Sequence, residues 1–299
     1  MDLFDIEIFL AIVETKSITG ASEKLFLSQS TVSYRVAKLE ENLQTKLINR
    51  QQGQRTISLT PKGEEFLTLA KKTINLKKEV ENWKNNDINQ TLNIGAVDSL
   101  NIYILPQLFK EFIENNPKTN LSISSHWSLS ICDLVESNDI DLGLVSRLKE
   151  SQDLITIPMF KEQMVLISSF TSKYKNTISP AMLNSNYELK LDWGEDFQMW
   201  HDYWFGTKAK IQLKVDTSGL IFSLLDRAES WAIVPLGVAL SYNETKKIKI
   251  SILNNPPPQR TIYKIKNIFT RPSIQENLSI FEEYFEEFII NNEKVISQI

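Results

Sequence analysis

One cysteine, two histidines and no apolar stretch near the length of a bilayer crossing: the 299-residue chain is defined first by what it has little of. A lone cysteine, Cys132, excludes an intramolecular disulfide framework and suits a reducing compartment. His126 and His201 stand far apart, with no ligand spacing around either, so no metal site is expected. There is no Walker loop, no GxGxxG fingerprint and no nucleophile elbow; neither a cofactor nor enzymatic activity is expected. The longest apolar run, "WAIVPLGVAL", has ten residues, against the ~20 of a membrane helix. The opening "MDLFDIEIFL" carries acids where a secretory leader would carry basic residues, which points to a cytoplasmic protein.

What is present is unevenly distributed. The net charge is −4, yet the span from Lys16 to Lys62 holds eight Lys or Arg against three acids. A compact basic block in an otherwise acidic chain is the footprint of a nucleic-acid-binding module attached to a different domain.

The block contains "LSQSTVSYRVAKLEENL", residues 27–43. At ~100° per residue, Val32, Val36, Leu39 and Leu43 fall on one side of a helix, and Ser30, Tyr34, Ala37, Lys38 and Glu41 on the other. Ser28 sits where an N-cap belongs. Short donors and acceptors on the first two turns are what a major groove admits. Upstream, "LFDIEIFLAIVETK" is an amphipathic helix, and "KSITGASEKLFLS" is a second, capped by Ser17; together with 28–43 they make a helix-turn-helix. Downstream, "KLINRQQGQRTISLT" reads as a hairpin wing with Arg50 and Arg55 flanking its turn. Thr60 then caps a long helix that starts at Pro61. On it Phe66, Leu69, Thr73, Leu76, Val80 and Trp83 step by threes and fours, a heptad seam for pairing two chains.

After the polar linker 85–90, strands alternate with helices, which predicts a largely parallel, doubly wound α/β sheet. One helix is expected over "NIYILPQLFKEFIENNP", and "PPP" at 256–258 marks a break. Phe197, Trp200 and Trp204 continue a stripe from Trp193 that reads as core or interface, with Trp193 itself able to wall a cleft. Cys132 reads as core.

Residues 18–67 resemble the N-terminal domain of LysR-type bacterial transcription regulators. The likeness rests on Ala21 and Ser22, Leu25, "SQ" at 28–29, "VS" at 32–33, "LE" at 39–40, Arg50 and "LTPKG" at 59–63. It departs at Gln44, where the family usually has glycine, at Ile48 in place of phenylalanine, at Tyr34, and at "AESWAIVP" in place of a glycine-rich turn. The resemblance implies three parts: a winged helix-turn-helix (1–60), a linker and dimerisation helix (61–90) and an α/β effector domain (91–299). The last would comprise two subdomains like those of periplasmic binding proteins, 91–162 with 265–299 and 163–264. It also implies a homodimer that pairs into a tetramer, bound to an inverted-repeat duplex.

Carried onto this chain, Gln29, Ser30, Tyr34 and Lys38 become base or near-base contacts, and Ser28 and Thr31 phosphate contacts. Arg50, Arg55 and Thr60 reach the backbone or minor groove from the wing, and Ser33 either contacts DNA or packs on the first helix. For the effector, the rule that ligands sit at the carboxyl ends of strands selects Asp98, Ser99, Leu100 and Asn101, then His126, Trp127 and Ser128, then Ser146 and Arg147. From the second half it adds Asp192, Trp193, Gly194, Thr217, Ser218 and Gly219. Ser99, Asn101, Ser128 and Ser218 beside free N–H groups suit an anion, with Arg147 as the one cation of these loops. The function that follows is a transcription regulator switched by a small molecule. The alternative is a DNA head fused to a binding or enzymatic α/β domain that does not switch.

Overall fold

The computed structural model describes residues 1–49, 56–84, 91–243 and 248–292. They fall into two compact units, one built on residues 1–88 with 136–139 and the other on 89–135 and 140–299.

In the first unit, helices α1 (Leu3–Thr15), α2 (Ile18–Leu25) and α3 (Gln29–Asn42) are followed by a hairpin of β1 (Ile48–Asn49) and β2 (Ser58–Leu59) and by α4 (Pro61–Lys84). The caps fall where the small polar residues predict them. Ser17 Oγ accepts from Gly20 N, Ser28 Oγ from Thr31 N and Thr60 Oγ1 from Gly63 N. Ile8, Phe9, Ile12, Val32, Val36 and Leu39 make the core, closed from the α4 side by Ala70. Phe66 does not stay on the seam: it meets Phe9 edge to face at 5.2 Å and joins this core. A core formed by three short helices leaves Phe9 uncovered, and the first turns of α4 complete it.

Two backbone details hold the wing. Glu40, buried at the end of α3, accepts from Leu47 N at 2.9 Å and Ile48 N at 3.2 Å, and from Lys46 Nζ at 2.7 Å. Gly63 lies so close to the wing that a Cβ there would stand 2.0 Å from Leu47 O. This contact gives the "LTPKG" glycine its physical reason. Gln44, in the position where the resemblance implies a glycine, has φ 51°, a left-handed conformation that costs a side-chain-bearing residue ~1–2 kcal/mol.

The second unit contains two mixed sheets rather than one parallel sheet. The first has the order β4-β3-β5-β13-β6, formed by β3 (Thr91–Ala96), β4 (Asn120–Ser125), β5 (Leu142–Val145), β6 (Leu154–Glu162) and β13 (Arg260–Asn267). Strands β4, β3 and β5 run parallel, and β13 is antiparallel to both β5 and β6. Helices α5 (Asp98–Tyr103), α6 (Pro106–Asn115), α7 (Ser128–Glu136) and α11 (Gln275–Asn291) belong with it. Phe112 packs edge-on against Phe281 and Tyr284 in its core.

The second sheet has the order β11-β7-β12-β8, from β7 (Met164–Ser169), β8 (Thr177–Ile178), β11 (Trp231–Pro235) and β12 (Ile248–Leu253). A parallel pair of β9 (Leu189–Leu191) and β10 (Leu213–Val215) joins it through a bridge between Glu188 and Trp231. Helices α8 (Glu195–Phe205), α9 (Ser218–Leu224) and α10 (Leu236–Asn243) complete this half.

The expectation of a largely parallel sheet fails because β6 runs into β7, and β12 returns to β13, without a crossover helix. A strand that enters a sheet without such a crossover can pair antiparallel. The chain crosses out after Glu162 and re-enters at Arg260, so residues 260–264 belong to the first sheet rather than the second subdomain. The single helix expected over 101–117 is two, because Pro106 has no N–H with which to continue the ladder and opens α6 instead. Strand β12 and helix α10 have no counterpart in the sequence reading.

Burial disfavours the charge on Glu40, but the Lys46 ammonium and the two wing amides outweigh it and hold its carboxyl below the usual range. The stability this contributes is present at neutral pH and is lost as pH falls through that lowered pKa. Glu40→Ala, which leaves two wing N–H groups unpaired, is expected to destabilise the protein by about 1–3 kcal/mol at pH 7 in urea denaturation, and by less at pH 3. Gln44→Gly is expected to raise stability by about 0.5–1 kcal/mol in the same assay, relief of the positive φ exceeding the entropy cost of glycine.

Candidate functional site

The first unit offers one polar helix face. Along α3, Gln29, Ser30, Tyr34 and Lys38 are exposed, Tyr34 to 66%, while Val32, Val36 and Leu39 are fully buried. The hydroxyl of Ser28 lies 2.8 Å from those of both Ser30 and Thr31, so the helix begins in a small cluster of hydroxyls. Ser33 is half-buried. Arg35, on the flank, is spent on Asp2 and Asp5 at 2.8 and 3.0 Å and lies over the Phe4 ring. Thr60 is tied to the fold, donating to Lys46 O at 2.6 Å while it caps α4. Arg50 and Arg55 lie outside the described residues. On α4, Leu69, Leu76 and Val80 remain 58%, 61% and 52% exposed, and Thr73 returns its hydroxyl to Leu69 O. The Trp83 side chain lies outside the described residues.

In the second unit a cavity of about 530 Å³ opens where strand ends of the two sheets meet. Of the residues selected from the sequence, Asp98, His126, Trp127, Ser128, Ser146, Arg147, Asp192, Trp193 and Thr217 line it. Ser128 Oγ accepts from Ser146 N at 3.1 Å, joining two of these loops. Trp193 is nearly buried and donates its indole N–H to Ile233 O at 2.7 Å, which fixes it as a wall.

Six selected residues do not line the cavity: Ser99, Leu100, Asn101, Gly194, Ser218 and Gly219. Helix α5 begins directly at Asp98, so at ~100° per residue Ser99 and Leu100 turn away from the opening. Ser99 accepts from Arg260 Nη2 at 3.0 Å, and Leu100 enters the core. Asn101 Nδ2 is taken by Ser124 O at 2.9 Å and Ser125 Oγ at 2.8 Å. Ser218 donates both N–H and hydroxyl to Asp98 Oδ2 at 2.8 Å, so the donors expected to meet an outside anion already meet an inside one.

Arg260 and Asp216 also line the cavity and are absent from the sequence selection. Arg260 is 8% exposed, and its Nε donates to Glu162 Oε2 at 2.7 Å. The guanidinium carbon lies 4.9 Å from the centre of the Trp193 ring. Arg147 is therefore not the one cation of the site. It is the more exposed of the two and pairs with Glu195 at 2.9 Å. A signal for Arg260 existed in "PPPQR": a chain break followed by a strand brings its first side chain to a sheet end. His201 is buried against Glu188 at 2.7 Å, Cys132 is core, and among the described residues no group of three His, Cys, Asp or Glu could hold a metal ion. No helix of the described residues is long and apolar enough to cross a membrane.

Two family models match in succession. The bacterial regulatory helix-turn-helix model of the lysR family covers residues 3–64, and the LysR substrate binding domain model covers residues 85–266. The chain belongs to the LysR family.

A Bacillus velezensis relative, the HTH-type transcriptional regulator YofA, is 33% identical over 171 residues, 56% of this chain and 59% of that protein. YxjO of Bacillus subtilis, an uncharacterized HTH-type transcriptional regulator, is 34% identical over 148 residues, 48% of this chain and 50% of its own. The chain thus spans about half the length of the curated relatives it matches. A full-length OxyR variant from Pseudomonas aeruginosa has the same fold, with a TM-score of 0.66 at 20% identity, covering 100% of this chain and 98% of its own. Full-length CbnR complexed with its target DNA aligns with a TM-score of 0.64 at 20% identity, over 96% and 100%. This LysR-family chain carries the family's helix-turn-helix and substrate-binding domains on a mixed α/β framework.

In such a domain the Arg260–Glu162 pair should behave as a buried ion pair. Arg260→Met alone is expected to cost about 3–5 kcal/mol in chemical denaturation, because it strands Glu162 without a partner. Adding Glu162→Met is expected to recover most of that loss, as a non-additive double-mutant cycle would show.

Proposed function

We propose that the protein is a transcription regulator that binds DNA through α3 and responds to a small molecule held in the cavity of its substrate-binding domain. The observation that carries the first half is the outward face of α3: Gln29, Ser30, Tyr34 and Lys38 stand exposed on a helix anchored by a buried apolar side. Gln29 suits the N6/N7 edge of adenine, and Ser30 reads donors or acceptors. The hydroxyls of Ser28 and Thr31, beside the first N–H groups of α3, suit a phosphate. Lys38, about two turns beyond Thr31, supplies a charge.

Two such helices on one duplex require a dimer. The exposed row of Leu69, Leu76 and Val80 supports pairing through α4, with Phe66 excluded because its own domain uses it. Half-sites would then recur about one helical turn apart in an inverted repeat. A ligand in the cavity touches side chains from both sheets and can shift the balance between two arrangements only by its difference in affinity for them.

Fluorescence anisotropy with a duplex from the region upstream of the protein's own gene tests this reading. Lys38→Ala is expected to weaken binding and to lower the slope of log K against log salt by about one unit. Upstream duplexes that bind no better than scrambled ones would sink it. For the dimer, Leu76→Glu with Val80→Glu is expected to halve the particle mass in sedimentation at micromolar concentration; an unchanged mass would place the contact elsewhere.

A further inference from the structure

The charge around the cavity is the reverse of what an anion requires. Its two arginines are already matched, Arg147 by Glu195 and Arg260 by Glu162. Three carboxylates, those of Asp98, Asp192 and Asp216, line the same space. Asp98 Oδ2 accepts only the N–H and hydroxyl of Ser218, and Asp192 Oδ1 accepts the N–H of Gly194 at 2.8 Å, all neutral donors. Asp216 is exposed to the cavity mouth and makes no hydrogen bond or ion pair among the described residues. Hydrogen bonds from neutral donors leave the carboxylate charges in place; Lys190 offsets part of that of Asp192, but Asp98 and Asp216 still oppose an entering anion at short range.

One of the donors that remain for an acceptor is buried. Arg260 is more than nine-tenths buried, its Nε and Nη2 are engaged, and its Nη1 has no acceptor among the described residues. The rest of the wall divides between polar side chains, Ser125, His126, Ser128, Ser130, Ser146 and Thr217, and an apolar part made by Val97, Leu129, Leu191 and the rings of Trp127 and Trp193. A volume of about 530 Å³ accommodates a small organic molecule but no polymer.

Resting on the effector reading above, we propose that this cavity takes a small zwitterion of the amino-acid type. Its protonated amine lies among Asp98, Asp192 and Asp216, an oxygen of its acid end accepts from the free N–H of Arg260, and its apolar body lies against the two tryptophans. The amine is the obligatory group. The acid end is replaceable by any acceptor oxygen, because the charge of Arg260 is already balanced by Glu162 while its hydrogen-bonding capacity is not exhausted.

Three matched sets of compounds test this with the full-length protein in thermal-shift assays: the standard amino acids, their primary amides, and their N-acetyl derivatives. At about 10 mM, at least one amino acid and its amide are expected to raise Tm by about 2 °C or more, with the N-acetyl counterpart inert. In calorimetric titration Asp216→Asn is expected to weaken that compound about tenfold, while the Tm of the unliganded variant stays near that of the parent. N-acetyl acids that stabilise as well as their parents would overturn the inference yet leave the cavity standing as an effector site, provided that Trp193→Phe alters their binding. Silence from all three sets would overturn the inference and remove its support from the effector reading, which the DNA-binding measurement tests separately in its other half.

Discussion

Most of what the second unit presents to a ligand depends on one buried ion pair. Arg260 and Glu162 face each other in register at the ends of β13 and β6, where the chain leaves the first sheet and where it comes back. Neither charge is tolerable alone at that depth, so each fixes the other's strand end. The pairing also decides where the guanidinium lies, with Ser99 on one side and the Trp193 ring on the other. A residue from the first sheet thereby becomes the floor beneath a wall supplied by the second.

The first unit solves a related problem with a carboxylate that holds backbone amides. A hairpin of two-residue strands cannot hold itself in place, and its backbone must find partners outside the ladder. Glu40 accepts two of its amides from the end of α3, and the absent side chain at Gly63 lets the start of α4 close on Leu47. The helix whose outer face we assign to DNA and the helix whose exposed row we assign to a partner chain are thus joined through the wing. Movement of one relative to the other would have to break these contacts, which makes the head a rigid part.

The aromatic segment after Trp193 shows how one stripe serves two purposes. Phe197 is buried and stacks on Trp200, and Trp200 donates to Asn255 O just before the proline break. These rings fasten α8 to the second core and to the returning chain. Trp193, one turn earlier and outside the helix, is held by Ile233 O instead, and its face is left for the cavity. Spacing alone puts all of these rings on one side; it does not say that the first belongs to a loop with a different neighbour.

The local features were legible in the sequence. Ser17, Ser28 and Thr60 cap their helices, the apolar positions of α3 face inward, and Tyr34 and Lys38 face outward, because capping and helical periodicity act within a few residues. The alternation of strands and helices was legible too, and with it the strand ends that form the cavity. Strand direction was not, since it depends on whether a connection carries a crossover helix. Strand β12 was hidden for a similar reason: its buried residues are Ser251 and Leu253, and its Ile252 is exposed, a pattern that only its two neighbours in the sheet explain. The charge of the cavity belongs to the same class. Composition counts Arg147, Arg260 and the aspartates equally, whereas their effect on a ligand depends on which of them have already found each other across 98 or 48 residues of chain. Short-range physics determined the helices and their faces; pairing between residues far apart in the chain decided the topology, the lining of the cleft and the sign of its charge.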